Sequence, residues 1–537
     1  MPKAKKTKVL SAQAKTTPQH LASIIKSARD KMRKDKGLSG DTDRLPQLTW
    51  ILFLKFLDDA ETLRQTEAEL AGQAFRPAIE APYRWRDWAA PADGLTGDDL
   101  IRFINQDELE REDKTKYAGL FAYLKSLRGA DGGDRRDIIA NVFRGTLNRM
   151  INGYILREVL TVVNQINFAS SEEIHTLSAL YESMLKEMRD AAGDAGEFYT
   201  PRAVVRFMVE ALDPRLGETV LDPACGTGGF LVGAYEHLHK QCVSVEDFVT
   251  LQKQSVRGVE AKPLPYLLCQ MNLLLHGMEY PQIAYENALA VRLGDIGDRD
   301  RVDVILTNPP FGGEEERGIL NNFPVDLQTT ETSLLFLQLI MRRLKRGGRC
   351  ALVLSDGTLS TPGVVADVRK FLIENFNLHT IIRLPKGLFV PYTPIATNLL
   401  FFDNSEPTGK IWYYEVPPPT DRKIYTKTKP FQYEEFAECQ KWWVDRKENE
   451  HSWCVDVINV TNNGYDLDIP NPNAPSDISH VAPFEIITGI DKRYSQLSQN
   501  IKAIKNALSQ DLFNNKVDAL VEMSNFLSQR KEFIKIN

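Results

Sequence analysis

The stretch "VLDPACGTGGFLVGA", Val220 to Ala234, starts as an apolar strand, breaks on a glycine turn and closes as an apolar helix. In an open α/β sheet, ligands sit beyond the carboxyl ends of the strands, where such a turn feeds a helix N-terminus. Gly226, Gly228 and Gly229 let the backbone pass close to a bound molecule. Asp222, at the strand tip, can accept a hydrogen bond from a ligand cation or fix the loop. A dinucleotide fingerprint needs G-x-G-x-x-G, or alanine at the last position, whereas Gly226-Thr227-Gly228-Gly229-Phe230-Leu231 ends on leucine. Taken alone, the turn points to some nucleotide-like ligand.

On either side of it, short β-branched runs alternate with helical stretches. "ETVLD" (Glu218–Asp222), "VRGVE" (Val256–Glu260), "QIAYE" (Gln282–Glu286) and "VDVILT" (Val302–Thr307) are strand candidates. "RCALVLS" (Arg349–Ser355), "LHTIIRL" (Leu378–Leu384) and "TNLLFFD" (Thr397–Asp403) continue the series. Helices are expected over Phe230–Lys240, Pro265–His276, Thr332–Lys345 and Gly363–Asn375. Alternation with nearly continuous apolar strands implies a parallel α/β sheet covered on both faces. "LPKGLFVPYTPIATNLLFF" holds no helix before its last strand and suits an antiparallel hairpin at the sheet edge.

The second strand ends on Glu260, placed to accept both hydroxyls of a ribose. With the glycine turn, this indicates an adenosyl ligand that needs no phosphate. The fourth strand ends in "TNPPF". Asn308 can accept through its amide oxygen and Pro309 through a carbonyl outside any helix or ladder. Together they suit the two hydrogens of an amino group on a conjugated ring. Holding both would favour a pyramidal nitrogen with its lone pair turned towards an electrophile, and Phe311 offers a face to a planar base. The electrophile that fits is the sulfonium methyl of S-adenosylmethionine, in a displacement driven by positioning and electrostatics. No metal is required, and no metal-ligand spacing is visible.

A chain of 537 residues with 43% hydrophobic content suggests two or three domains. A formal net charge of -6 argues against a simple polycationic nucleic-acid binder, while leaving room for a local basic groove. The six cysteines lack paired spacing and suit thiols in a reducing cytosol. The apolar run Trp50 to Leu57 is too short to cross a bilayer, and no apolar segment follows the basic N-terminus as in a secretory signal. A cytoplasmic protein is expected.

The expected divisions are a flexible basic tail (1–17), a mostly α N-terminal domain (18–191), a catalytic domain (192–420), a mixed extension (421–480) and a C-terminal helical docking region (481–537). In the N-terminal domain Leu21, Ile24, Ile25, Ala28 and Met32 are spaced for one buried helix face. "LTWILFLKFLDD" and "LSALYESMLKEM" are further helices with wide apolar faces. Leu497, Ile501, Ile504 and Leu508 have coiled-coil spacing, equally suited to a helix packed on its own domain.

"EFYTPR" (Glu197–Arg202), "DPACGTGGFL", "GVE", "TNPPF", "RLKRGGRCALVLSDGTL" and "LPKGLFVPYTPIATNLLFF", in that order, resemble the modification subunit of type I restriction–modification systems. The resemblance spans roughly Ser23 to Asp403. It implies a Rossmann-like, S-adenosylmethionine-dependent methyltransferase sheet between helical N- and C-terminal parts, and N6-adenine methylation of double-stranded DNA. It places Glu197, Phe198, Tyr199, Thr200, Pro201 and Arg202 in a cofactor-side loop and Thr227 to Gly229 in the methionine-side turn. Glu260 becomes the ribose acceptor, and Asn308, Pro309, Pro310 and Phe311 the catalytic tetrad. Asn287 departs from the pattern, standing where relatives often carry an Asp against the cofactor's adenine. The implied partners are a specificity subunit that reads the target sequence, a second modification subunit, and a restriction (nuclease and translocase) subunit. Lys31, Arg33, Lys34 and Lys36 are candidates for phosphate contact or for a solvated helix face.

Three rivals stay open at this level. Methylation of a protein glutamine amide also uses N-P-P, usually followed by Tyr. N4-cytosine methylation is equivalent at the motif. A catalytically dead scaffold would carry a damaged tetrad or turn.

Overall fold

The computed structural model describes residues 18–111, 113–129, 135–168, 177–185, 200–389, 395–418, 425–426, 429–473, 495 and 497–499. The basic tail, Glu197 to Tyr199, and Ile501, Ile504 and Leu508 of the coiled-coil seam lie outside the described residues. Chain contacts divide the protein into one unit up to Asn473 and another from Ala474, and the first holds the whole sheet.

Its N-terminal layer is helical. Helix α1 (Pro18–Met32) buries Leu21, Ile24, Ile25, Ala28 and Met32, the face expected from their spacing. Helix α2 (Asp41–Leu70) carries the run Trp50 to Leu54 into the same core. The layer is mostly α, as expected, with one small addition: Glu108–Glu110 pairs antiparallel with Lys116–Ala118. At three residues a side, mostly polar and partly exposed, this hairpin leaves no alternation for a sequence pattern to show.

The sheet has nine strands: β1 (Val220–Asp222), β2 (Val256–Glu260), β3 (Gln282–Tyr285), β4 (Val302–Thr307), β5 (Leu344–Ser355), β6 (Asn377–Arg383), β7 (Thr397–Asp403), β8 (Lys410–Glu415) and β9 (Ser452–Asp456). Their spatial order is β9-β8-β6-β7-β5-β4-β1-β2-β3. From β3 to β5 all pairs are parallel. Strand β7 runs antiparallel to both neighbours, β5 and β6. The expected edge hairpin is therefore interior, because β8 and β9 extend the sheet beyond β6. The reason lies in β7 itself: Leu399 and Phe401 enter one core, Leu400 and Phe402 the other, so both faces are covered.

That alternation gives each face of the sheet its own core, beside a smaller cluster around Leu289, Phe323 and Phe336. On one side lie helices α3 (Arg202–Leu212), α4 (Gly229–His239) and α5 (Pro263–Leu275), continuous with the N-terminal helices. On the other lie α6 (Thr332–Arg343) and α7 (Val364–Asn375). Helix α5 is buried at every position from Pro265 to Leu275, since the sheet covers one face and the N-terminal layer the other. Strand order reverses between β1 and β4, the place where an open α/β sheet leaves a crevice at the strand ends. Asp222 ends one of these strands, and Asn308 directly follows the other. Among the described residues no helix is long and apolar enough to cross a membrane.

Candidate active site

The glycine turn is held from behind and open in front. Gly226 (φ 53°) and Gly228 (φ 81°) take left-handed conformations that side chains resist. A Cβ on Gly228 would stand 2.8 Å from Cys269 Sγ on α5. Asn272 Nδ2, also from α5, donates to the Thr227 carbonyl at 2.9 Å. Arg202 Nη1 donates to the Gly229 carbonyl at 3.2 Å and pairs with Glu182. Leu231, where a dinucleotide site would need glycine or alanine, is fully buried.

Two carboxylates flank the open front. Glu260 Oε2 accepts from Gly226 N (2.9 Å) and Oε1 from Lys262 N (2.7 Å), so the acid at the β2 tip braces the turn. Burial pushes its carboxyl above the usual range. Asp222 Oδ1 accepts from Thr307 Oγ1 (2.7 Å) and Ala224 N (3.1 Å), which ties the end of β1 to β4. Burial pushes the Asp222 carboxyl up to about 7, against those two bonds.

Asn308 follows β4. Its Nδ2 donates to Thr200 Oγ1 at 3.0 Å, while its Oδ1 is buried without a hydrogen-bond partner. Pro309 is buried, and among the described residues no hydrogen bond engages its carbonyl. Phe311 is half-buried and meets Phe389 edge-to-face, with centroids 5.5 Å apart and planes at 88°.

One cavity of about 140 Å³ is shared by the two strand ends. Thr200, Asp222, Gly226, Gly229, Glu260, Asn287, Asn308 and Pro310 line it, so the structure brings these expected residues together. It does not bring Pro201, Arg202, Thr227, Gly228, Pro309 or Phe311 to the lining; Arg202 and Thr227 support the turn from the far side. Asn287 Oδ1 is already engaged, accepting from Leu289 N at 2.9 Å as it caps a short helical turn.

Several lining residues were missed from the sequence. Glu286 directly follows β3, and the strand-end rule that selected Asp222 and Glu260 could have found it. Glu315 arrives because the loop after the tetrad folds back, through a Glu314–Glu331 bridge and Thr332 Oγ1 donating to Gly313 O at 3.1 Å. Phe336 occupies an apolar position of α6, and nothing in the pattern separates it from ordinary core. Asp222, Glu260, Glu286 and Glu315 outnumber the single lysine, Lys262, so the cavity favours a cationic ligand over a pyrophosphate.

Comparison with known proteins agrees. A family model described as N-6 DNA Methylase matches residues 172–481, and one described as HsdM N-terminal domain matches residues 21–159. The chain belongs to the N-6 DNA methylase family. This methylase is 45% identical over 506 residues to the type I restriction enzyme EcoEI methylase subunit of Escherichia coli, covering 92% of this chain and 99% of that one. A crystal structure from Vibrio vulnificus YJ016, described as a modification subunit of a type I restriction enzyme, is 62% identical with a TM-score of 0.78, over 88% of this chain and all of that one. A chain from a structural study of complex assembly in the type I R-M system is 38% identical with a TM-score of 0.74, over 92% of this methylase and 99% of that chain.

Proposed function

We infer that the cavity between the Gly226–Gly229 turn and Asn308 is the active site of an S-adenosylmethionine-dependent adenine methyltransferase. Family membership makes the chain a DNA methylase that modifies the N6 amino group of adenine. The observation that carries the site assignment is the orphaned Asn308 Oδ1. A buried acceptor without a partner costs roughly 1–3 kcal/mol, which an incoming amine would relieve.

The residues present fit the cofactor. Asp222, Glu260, Glu286 and Glu315 suit its positive charges, Glu260 and Asn287 its polar edges, and Phe336 its planar base. Bound there, S-adenosylmethionine would supply an electrophilic methyl group. Asn308 Oδ1 and the Pro309 carbonyl would each accept one hydrogen of the target amine, hold it at the cavity mouth and turn its lone pair inwards. Phe311, braced by Phe389, would stack on the adenine after it leaves the duplex, a step that costs a few kcal/mol. The gain comes from orientation and from acceptors fixed before the reaction begins.

A type I system assembles from several subunits, so sequence choice falls to a separate specificity subunit and DNA is held between two copies of this methylase. A restriction subunit completes the complex. The N-terminal layer and residues 481–537 are the docking elements.

The experiment is transfer of a labelled methyl group to unmethylated DNA, with and without the cognate specificity subunit, followed by nucleoside analysis. N6-methyladenine is expected, with little product from the methylase alone. Label on N4 of cytosine would change the base and keep the mechanism. Label on protein would refute the substrate.

A further inference from the structure

The two ends of the Asn308 amide have very different surroundings. Nδ2 meets the Thr200 hydroxyl at 3.0 Å, across 108 positions of chain, whereas Oδ1 is buried and unpartnered. A carboxamide is planar, with a donor end and an acceptor end of nearly equal size. At the end of a strand, where the ladder stops, rotation about the side-chain bonds would move Oδ1 away from an amine or replace it with N–H groups. Among the described residues, Thr200 Oγ1 is the hydrogen-bond partner of this amide.

Thr200 is well placed to hold it. Pro201 follows as the N-cap of α3, with its carbonyl accepting from Val204 N (3.0 Å) and Val205 N (3.1 Å). Helix α3 then buries Val204, Val205, Phe207 and Met208 in the core. The hydroxyl thus stands two residues before a helix packed into the core, and a site held by packed elements keeps its geometry to fractions of an ångström.

We propose that Thr200 is a positioning residue for catalysis: its hydroxyl anchors the plane of the Asn308 amide, so that Oδ1 stands ready for the target amine. This rests on the active-site assignment above. A hydroxyl can serve either end of an amide; the amine selects the acceptor end, and Thr200 then keeps its plane and distance. The family resemblance puts Thr200 in the cofactor-side loop, and Thr200 does line the same cavity. The two roles predict different kinetics. A cofactor contact acts on affinity for S-adenosylmethionine, whereas an anchor for Asn308 acts on the transfer step at saturating cofactor and DNA.

The test uses the methylase assembled with its specificity subunit and compares Thr200→Val with Thr200→Ser. Valine keeps the branched shape and loses the hydroxyl; serine keeps the hydroxyl and loses a methyl. Cofactor affinity is measured by calorimetry, and transfer by single turnover at saturating cofactor and DNA. For Thr200→Val the expected result is a dissociation constant within about threefold of wild type and a transfer rate lower by roughly ten- to a hundredfold, the loss of one orienting hydrogen bond. Thr200→Ser should recover the rate to within about threefold. The proposal is overturned if Thr200→Val reaches the full rate once cofactor saturates, if its rate never falls, or if serine fails as badly as valine. Should the valine protein not assemble, Thr200→Ala replaces it under the same criteria. Asn308→Ala is run in parallel, and full transfer by that variant would instead reject the active-site assignment.

Discussion

Acidification from about pH 8 to about pH 6 should weaken S-adenosylmethionine binding about tenfold through Asp222, and Asp222→Asn should remove that share of the dependence. Asp222 is 1% exposed, and burial is the largest influence on it, raising its carboxyl to about 7. The hydrogen bonds from Thr307 and Ala224 oppose the rise, while the Glu260 charge adds to it. About a tenth of the empty protein would then carry ionised Asp222 near pH 6, and about nine tenths near pH 8. A cationic ligand selects the ionised form, so the ratio is about ten, or about 1.4 kcal/mol. The Glu260 carboxyl is raised for the same reason and contributes with the same sign. Stability of the empty protein moves the other way. Because the folded pKa lies above the unfolded 3.8, the native state binds the extra proton, so this contribution falls as pH rises from about 4 to about 7 and is flat above. Calorimetric titration at three pH values, beside melting curves of the empty protein, reads both slopes. Affinity that is flat or improves on acidification would refute the assignment, as would an unchanged slope in Asp222→Asn.

Two further substitutions test the supports of the site. Gly228→Ala places a Cβ at φ 81° and 2.8 Å from Cys269 Sγ, and should cost about 2–4 kcal/mol, read as a lowered midpoint in denaturant titration. Asp35 is 2% exposed, and its carboxylate accepts from Gly37 N (2.8 Å), Ile151 N (3.3 Å) and Asn152 N (2.9 Å), stapling the end of α1 to the loop before the helix Gly153–Val163. Asp35→Ala strands those N–H groups and should destabilise the N-terminal layer by about 2–4 kcal/mol, visible as faster amide exchange at residues 148–155.

The strands that carry the site were the easiest to read. Val256–Glu260, Val302–Thr307 and Thr397–Asp403 have the bounds expected, because each is a short apolar run ended by a polar or turn-forming residue. Strand β5 begins at Leu344, five residues before the expected Arg349. Lys345, Arg346 and two glycines look like the tail of α6, yet Leu344 already pairs with Val302, and these four residues are the register shift before Arg349 pairs with Val304. Strand β9 was not expected, because it lies beyond a Pro-rich stretch and its place depends on β8, whose own outer edge needed covering. At the site, strand-end logic found Asp222, Glu260 and Asn308, whose positions follow from local pattern. Phe336, Glu315 and the Thr200–Asn308 bond arise from elements meeting across the chain, and local periodicity holds no trace of such meetings.

Asn308→Ala removes the acceptor for the target amine and leaves the glycine turn intact. In the assembled complex it should bind S-adenosylmethionine within about threefold of wild type while methyl transfer to adenine falls at least about a hundredfold. Transfer within about threefold of wild type would contradict a shared chamber in which Asn308 presents the base to the donor.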